Sequence, residues 1–188
     1  MRLKITTLPN LLTLFRIGVL PLMGYLLERG NGLGATLLLF LAAMSDFFDG
    51  YLARRRKEET SFGKLMDPVA DKILLCVALL FLVAIPSKGL SPWLASLLLA
   101  REFLVTGLRA IAASQGIVIA AGSSGKVKVT FQFLGLGFLM IGPIGLEFLP
   151  FSVEHVGLLL LWIAVLMSYI SMVQYSRRVY LALGWTLK

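Results

Sequence analysis

Four aspartates stand out in a chain that is otherwise rich in apolar residues. Asp46 and Asp49 are three positions apart, and Asp67 and Asp71 are four positions apart. Residues at these spacings lie on one face of an α-helix, so each pair presents two carboxylates to the same side. The connection at 54–64 is short enough to join the two helices as a hairpin. The sequence therefore predicts that the four carboxylates converge on one site.

Carboxylates that share a partly dehydrated pocket need counter-charges, because repulsion and desolvation both raise carboxyl pKa values. Two divalent cations would neutralise the set, and an all-oxygen ligand set favours Mg²⁺ or Mn²⁺. Zinc and haem sites are excluded, since the chain has one Cys and one His. The alternative, simple salt bridges with Arg54, Lys64 and Lys72, leaves the paired helical spacing of four aspartates unexplained.

The composition is typical of an integral membrane protein. The 188 residues are 58% hydrophobic and 15% charged, and the mean hydropathy is +0.87. Apolar runs of about 20 residues, the length that crosses the hydrocarbon layer, recur along the chain. We predict an all-α fold with six transmembrane helices, forming one domain over residues 1–188. The runs cover residues 8–28, 33–53, 67–86, 90–113, 127–150 and 154–175.

The net charge of +8 is unevenly distributed over the two surfaces that six spans would create. Arg29 and Lys88 fall at one surface, whereas the basic loop at 54–64 and both termini fall at the other. The positive-inside rule places the more basic surface in the cytoplasm. This surface favours anionic lipid headgroups, but its basic residues are too thinly spread for nucleic acid. With no cleavable signal or organelle-targeting segment evident, a bacterial inner membrane is predicted.

The N-terminal stretch "TLPNLLTLFRIGVLP" contains prolines and a charge within an apolar pattern. It predicts a short interfacial helix that leads into the first span. Arg16 would either extend its guanidinium to the membrane surface or bind an anion.

The aspartates also belong to a longer pattern, DxxDGxxARx8GxxxDxxxD. It is formed by Asp46, Asp49, Gly50, Ala53, Arg54, Gly63, Asp67 and Asp71. This pattern resembles the signature of the CDP-alcohol phosphotransferase family. The resemblance implies a six-helix membrane enzyme, usually a homodimer. Such enzymes transfer a phosphatidyl or related group from a CDP-linked donor to an alcohol and release CMP, with two divalent metals held by the aspartates.

The resemblance also implies roles for individual residues. Asp71 would be the catalytic base for the acceptor hydroxyl and could also contact a metal, while Asp46, Asp49 and Asp67 would be metal ligands. The CDP group would be bound by Asp49, Gly50, Ala53, Arg54, Thr60, Ser61 and Gly63. Small residues let a nucleotide approach the backbone closely, and an arginine can bind a phosphate oxygen.

The acceptor is predicted from basic residues further along the chain. Arg109 lies in "REFLVTGLRAIAASQG", and Lys126 and Lys128 lie in "GKVKVTFQ". Such a group of cations suits a phosphorylated acceptor, and Arg177 is a further candidate. For Lys128 and Arg177, lipid headgroup contact is an equal alternative. Arg101 and Glu102 could be an ion pair within the membrane that fixes the fourth helix.

These segments, with "PNLLTLFR" and "TSFGKLMDPVADKILL", resemble bacterial phosphatidylglycerophosphate synthases, a branch of the family. The resemblance extends to about Gln132, and Val129 departs from it, since Thr is expected in "GKxKT". It implies that CDP-diacylglycerol and sn-glycerol 3-phosphate react to give phosphatidylglycerophosphate and CMP.

Other functions fit the sequence less well. The same chemistry could use inositol phosphate, serine or phosphatidylglycerol as acceptor, although a neutral or zwitterionic acceptor leaves the cationic group unexplained. A divalent-cation channel or transporter predicts carboxylates near the midplane, but the aspartates lie towards the cytoplasmic end. A lipid scaffold would not need paired carboxylates.

Overall fold

A computed structural model describes residues 8–56, 61–116, 124–142 and 152–182. Within these ranges only the helical backbone is described at 8–10, 12, 46–56, 61–65, 67, 68 and 124–126. The described residues form six α-helices and one short 3₁₀ turn at Pro86–Lys88, with no strand among them. The predicted all-α fold with six helices is confirmed. The helices are α1 Leu8–Glu28, α2 Gly32–Arg56, α3 Ser61–Ala84, α4 Pro92–Ser114, α5 Ser124–Ile141 and α6 Val153–Ala182.

The N-terminal segment differs from its prediction. In the described residues no short helix precedes the first span, because Leu8 to Pro21 form the first part of the continuous helix α1. Arg16 is fully buried, on the same face as Leu20 and Met23. This buried face runs along α1, which packs against α2 and α3, so the segment behaves as part of the bundle rather than as a surface helix.

Glycines follow three of the helices, and a serine caps the start of α4. Gly30, Gly116 and Gly142 follow α1, α4 and α5 with φ values of 76°, 71° and 69°. Glycine adopts this left-handed conformation without steric cost because it has no Cβ atom. At the start of α4, the Ser91 hydroxyl accepts a hydrogen bond of 3.3 Å from the Trp93 backbone N–H. These residues therefore define the ends of α1, α4 and α5 and the start of α4.

Three connections meet at one end of the bundle. The Lys88 ammonium, between α3 and α4, donates a hydrogen bond of 3.1 Å to the Met140 carbonyl near the end of α5. Gly32 at the start of α2 packs on the same carbonyl, since a Cβ there would lie 1.8 Å from its oxygen. The α2–α3 hairpin, which carries the aspartates, therefore belongs to the opposite end.

Helix α3 is the central element of the fold, because it contacts α1, α2, α4 and α5. Its side chains Leu74, Ala78, Leu79 and Leu82 are fully buried. Burial of such side chains stabilises the fold by about 25 cal/mol for each Å² of apolar surface that is removed from water. The core thus fixes the helix on which Asp67 and Asp71 stand.

One described helix, Val153–Ala182, is both long and apolar enough to cross a membrane, with a mean hydropathy of 2.3. Shorter apolar stretches are Gly32–Ser45 and Val127–Ile141. In α4, the charges of Arg101, Glu102 and Arg109 interrupt the apolar sequence. Six helices are thus present, while six membrane spans remain a prediction.

Candidate active site

The predicted metal ligands lie on the neighbouring ends of two contacting helices. Asp46 and Asp49 are in the last three turns of α2, and Asp67 and Asp71 are in the first three turns of α3. Of the four carboxylates, those of Asp46, Asp49 and Asp67 lie outside the described side chains. Among the side chains that are described, no group of three or more metal-ligating residues occurs. The four-ligand site therefore stays a prediction.

The predicted CDP-binding residues belong to the same hairpin. Gly50, Ala53 and Arg54 are in α2, and Ser61 and Gly63 are in the first turn of α3. Their side-chain environment lies outside the described part of the structure, as does Thr60 altogether. Their role also stays a prediction.

Asp71 lines a small cavity where α3, α4 and α5 meet. The cavity measures about 40 Å³. Asp71 itself is exposed, whereas Gln132 on the α5 side is only 4% exposed. A carboxylate and a buried amide therefore border the same space. The full lining is Asp71, Lys72, Leu75, Glu102, Val129, Gln132 and Phe133.

A network of charges adjoins this cavity through Glu102. The Glu102 carboxylate pairs with the Arg101 guanidinium, and its Oε1 also lies 3.6 Å from the Lys128 ammonium. Arg101 Nε donates a hydrogen bond of 3.3 Å to the Ser168 carbonyl of α6. The structure thus shows an ion pair of Arg101 and Glu102, and Arg101 also links α4 to α6. The position of this pair within a membrane stays a prediction.

This network is both buried and unbalanced in charge. Arg101 is 3% exposed and Lys128 is 6% exposed. Among the side chains that the structure describes, two cations and one carboxylate form this network, with a net charge of +1. Because an uncompensated charge away from water is costly, such a site favours a bound anion.

The other predicted acceptor residues have different surroundings. The Arg109 guanidinium is exposed and lies 5.7 Å from the centre of the Tyr175 ring. Arg177 is also exposed and lines a separate, largely apolar cavity of about 510 Å³ with Leu108 and Tyr180. The side chain of Lys126 lies outside the described residues. Of this group, the structure brings Lys128 to the network beside Asp71 and places Arg109 and Arg177 between α4 and α6.

Comparison with known proteins decides the family. The family model described as CDP-alcohol phosphatidyltransferase matches residues 6–170. The chain belongs to this family. It is 38% identical over 173 residues to the CDP-diacylglycerol–glycerol-3-phosphate 3-phosphatidyltransferase of Rickettsia felis, covering 90% of this chain and 93% of the relative.

Two further relatives carry the same name. The protein of Shigella flexneri serotype 5b is 37% identical over 176 residues, with 89% of this chain and 92% of the relative covered. That of Bacillus subtilis is 34% identical over 180 residues, with 87% and 90% covered. The matched region includes all six helices in part or whole, so the CDP-alcohol phosphatidyltransferase assignment applies to the whole bundle.

The structure of this CDP-alcohol phosphatidyltransferase adds a residue that sequence reasoning missed. Gln132 borders the Asp71 cavity, yet it was not among the predicted site residues. It lies four positions after Lys128 on α5 and so shares a helical face with it. That spacing was the signal that could have identified Gln132.

Proposed function

We propose that the protein transfers the phosphatidyl group of CDP-diacylglycerol to sn-glycerol 3-phosphate, giving phosphatidylglycerophosphate and CMP. The names of relatives that match about nine-tenths of the chain support these substrates. The structural observation that carries the proposal is the cavity shared by Asp71 and Glu102, because it joins the signature helix α3 to a buried cationic network. A phosphorylated acceptor suits that combination of charges.

The CDP-alcohol phosphatidyltransferase family is generally dependent on divalent metal ions. The donor chemistry of this chain fits such ions, since the contacting helices α2 and α3 carry an all-oxygen set of aspartates. Asp46, Asp49, Asp67 and Asp71 would hold two Mg²⁺ or Mn²⁺ ions. Bound there, the ions would neutralise the diphosphate and stabilise the charge of the departing CMP.

The protein's own groups then have three tasks. Asp71 accepts the proton of the attacking acceptor hydroxyl as the new O–P bond forms and the bond from phosphorus to the CMP oxygen breaks. The hairpin residues Gly50, Ala53 and Arg54, with Thr60, Ser61 and Gly63, bind the CDP group. Lys128 and Lys126 bind the acceptor phosphate, whereas Arg109 and Arg177, which are exposed between α4 and α6, attract anions to that surface.

The cationic network gives Lys128 a defined position for this task. Its ammonium lies against Glu102 and is almost completely buried. An anion that binds there meets a group whose desolvation has already occurred, so little reorganisation is needed. Glycerol 3-phosphate and inositol phosphate both carry a phosphate and a net negative charge, whereas serine is a zwitterion without net charge.

We place the protein in a bacterial inner membrane as a multi-pass homodimer with its active site facing the cytoplasm. Many large apolar side chains point outwards from the bundle, among them Leu37, Leu80 and Leu166, which are 56%, 63% and 62% exposed. Extensive exposed apolar surface marks a contact with membrane lipid or a partner. The dimer and the orientation are implied by the family resemblance and the distribution of basic residues.

The test is CMP release from CDP-diacylglycerol by purified protein in detergent with Mg²⁺ or Mn²⁺. Glycerol 3-phosphate, inositol phosphate, serine and phosphatidylglycerol are compared as acceptors, and we expect release with glycerol 3-phosphate. Release with another acceptor alone would replace the proposed acceptor, and no release from folded protein would overturn the proposal. Asp71→Asn should reduce turnover at least 100-fold, whereas Arg56→Ala, outside the signature, should retain it.

A further inference from the structure

The Asp71 cavity contains polar groups that the proposed reaction does not yet use. Gln132 is 4% exposed and lines the cavity. Among the described residues, no hydrogen bond of its side-chain amide is found. An amide that lines a cavity can form a hydrogen bond with a group that enters it. A ligand that supplies the missing partner would therefore be bound preferentially.

Glu102 also lines this cavity and has a second carboxylate oxygen. Both of its ion pairs, with Arg101 and with Lys128, involve Oε1. No ion pair or hydrogen bond of Oε2 is found within the described part of the chain. The carboxylate can thus accept one more hydrogen bond without giving up its two cations.

The volume of the cavity limits the size of the chemical group that it can bind. It measures about 40 Å³, and one water molecule needs about 10–15 Å³ of such space. The cavity therefore has room for roughly three groups the size of a water molecule. A hydroxyl-bearing carbon with its neighbour fits this limit, and a sugar ring does not.

We propose that this cavity binds the secondary hydroxyl of the acceptor, the one that is not attacked. Gln132 donates its amide N–H to the hydroxyl oxygen, and the hydroxyl donates its hydrogen to Glu102 Oε2. Asp71, on the cavity's other side, accepts the proton of the primary hydroxyl. This inference rests on the proposed function, and it makes Gln132 a specificity-determining residue for a vicinal diol phosphate.

The experiment compares two acceptors that differ only in this hydroxyl. Glycerol 3-phosphate has it, and 3-hydroxypropyl phosphate lacks it while keeping the primary hydroxyl and the phosphate. We expect the wild-type kcat/KM to be roughly 10- to 100-fold higher for glycerol 3-phosphate, which corresponds to one satisfied buried hydrogen bond. In Gln132→Met, a change of similar length and volume, the preference should fall to about 3-fold or less.

Gln174→Met on α6 is the matched control, because Gln174 is exposed and does not line the cavity. It should keep the wild-type preference. A wild-type protein that uses both acceptors equally well would overturn the inference while leaving the proposed function intact. So would a Gln132→Met variant that loses activity equally with both acceptors, since a merely structural role has that effect.

The test does not depend on Gln132→Met being a folded protein. If Gln132→Met does not fold, the wild-type comparison still decides whether the secondary hydroxyl is recognised. Gln132→Glu is a second variant, and because it keeps the length but loses the N–H donor, its preference should also fall. Absence of CMP release with glycerol 3-phosphate from folded wild-type protein would instead overturn the proposed function and this inference together.

Discussion

At the scale of single residues, Glu102 is the anion on which two buried cations depend. Arg101 and Lys128 are almost completely buried, and both lie against its carboxylate. Removing one partner of a buried ion pair is far more costly than removing an exposed pair, because the remaining charge has lost its compensation. Glu102 thus stabilises the fold as well as the site.

Glu102→Ala should therefore destabilise the protein. Breaking a fully buried pair costs about 3–5 kcal/mol, and the Glu102 side chain is 24% exposed. We expect the lower part of that range, since solvent screens part of the charge. A loss of about 3 kcal/mol lowers the melting temperature by roughly 6–12 °C for a chain of this size, measured by circular dichroism in detergent.

The matched control is Glu28→Ala, because Glu28 is exposed at the end of α1. Its melting temperature should stay within about 2 °C of the wild type. Equal melting temperatures for the Glu102 and Glu28 variants would mean that the network contributes nothing to stability. Glu102 would then serve ligand binding alone.

Residue type alone does not show which cations are buried. Sequence reasoning grouped Arg109, Lys128 and Arg177 by charge and placed them at one acceptor site. The structure gives Lys128 an ion pair inside the bundle and leaves Arg109 exposed over Tyr175. The difference depends on which helix packs against each residue, and that information is absent from local sequence. The aspartate signature was identifiable because its spacing lies within two adjacent helices.

At the scale of elements, helices α5 and α6 approach each other most closely at glycines. A Cβ on Gly135 would lie 2.9 Å from the Gly157 carbonyl oxygen and 2.9 Å from the Leu161 side chain. Backbone oxygen cannot move aside as a flexible side chain does. Small residues at such crossings are common between helices in membranes, because they let the backbones pack closely.

Gly135→Ala should separate α5 from α6 and destabilise the bundle. Overpacking costs about 1–3 kcal/mol, and better helix propensity returns at most about 1 kcal/mol. The packing cost exceeds the propensity gain, so the melting temperature should fall by about 2–6 °C. The measurement is thermal unfolding of the purified variant in detergent.

Gly18→Ala is the control for helix propensity. A Cβ on Gly18 in α1 would meet no atom within 4 Å. This variant should be as stable as the wild type or slightly more stable. A Gly135→Ala protein that matches Gly18→Ala would show that α5 and α6 can adjust without cost.

The helices themselves were predictable, whereas their contacts were not. Apolar runs reveal helices because hydropathy is a local property, and the predicted run at 8–28 coincides with α1. The separate interfacial helix was wrong, because Leu8–Glu28 is one continuous helix in which Arg16 is fully buried. The crossing at Gly135 depends on α6, which is distant in sequence.

At the scale of the whole molecule, the two ends of the bundle differ in chemistry. One end holds the short connections that meet at Met140. The other end holds the α2–α3 hairpin with its aspartates and the basic segment from Arg54 to Lys64. Charged donor and acceptor headgroups approach from water, so a membrane enzyme with this arrangement must expose the hairpin end to the compartment that supplies them.

This asymmetry predicts which residues a membrane-impermeant thiol reagent reaches. Cys76 is the one cysteine of the chain, so Cys76→Ser provides a background without thiols. Ser87 and Ser114 are both exposed, and they stand at opposite ends of the bundle, before and at the end of α4. In intact spheroplasts, Ser87→Cys should be labelled and Ser114→Cys should not, because the positive-inside rule places the basic end in the cytoplasm.

Detergent should make both reactive, which shows that each thiol is accessible in the folded protein. Labelling of Ser114→Cys alone in intact spheroplasts would reverse the predicted orientation and place the aspartates at the outer surface of the membrane.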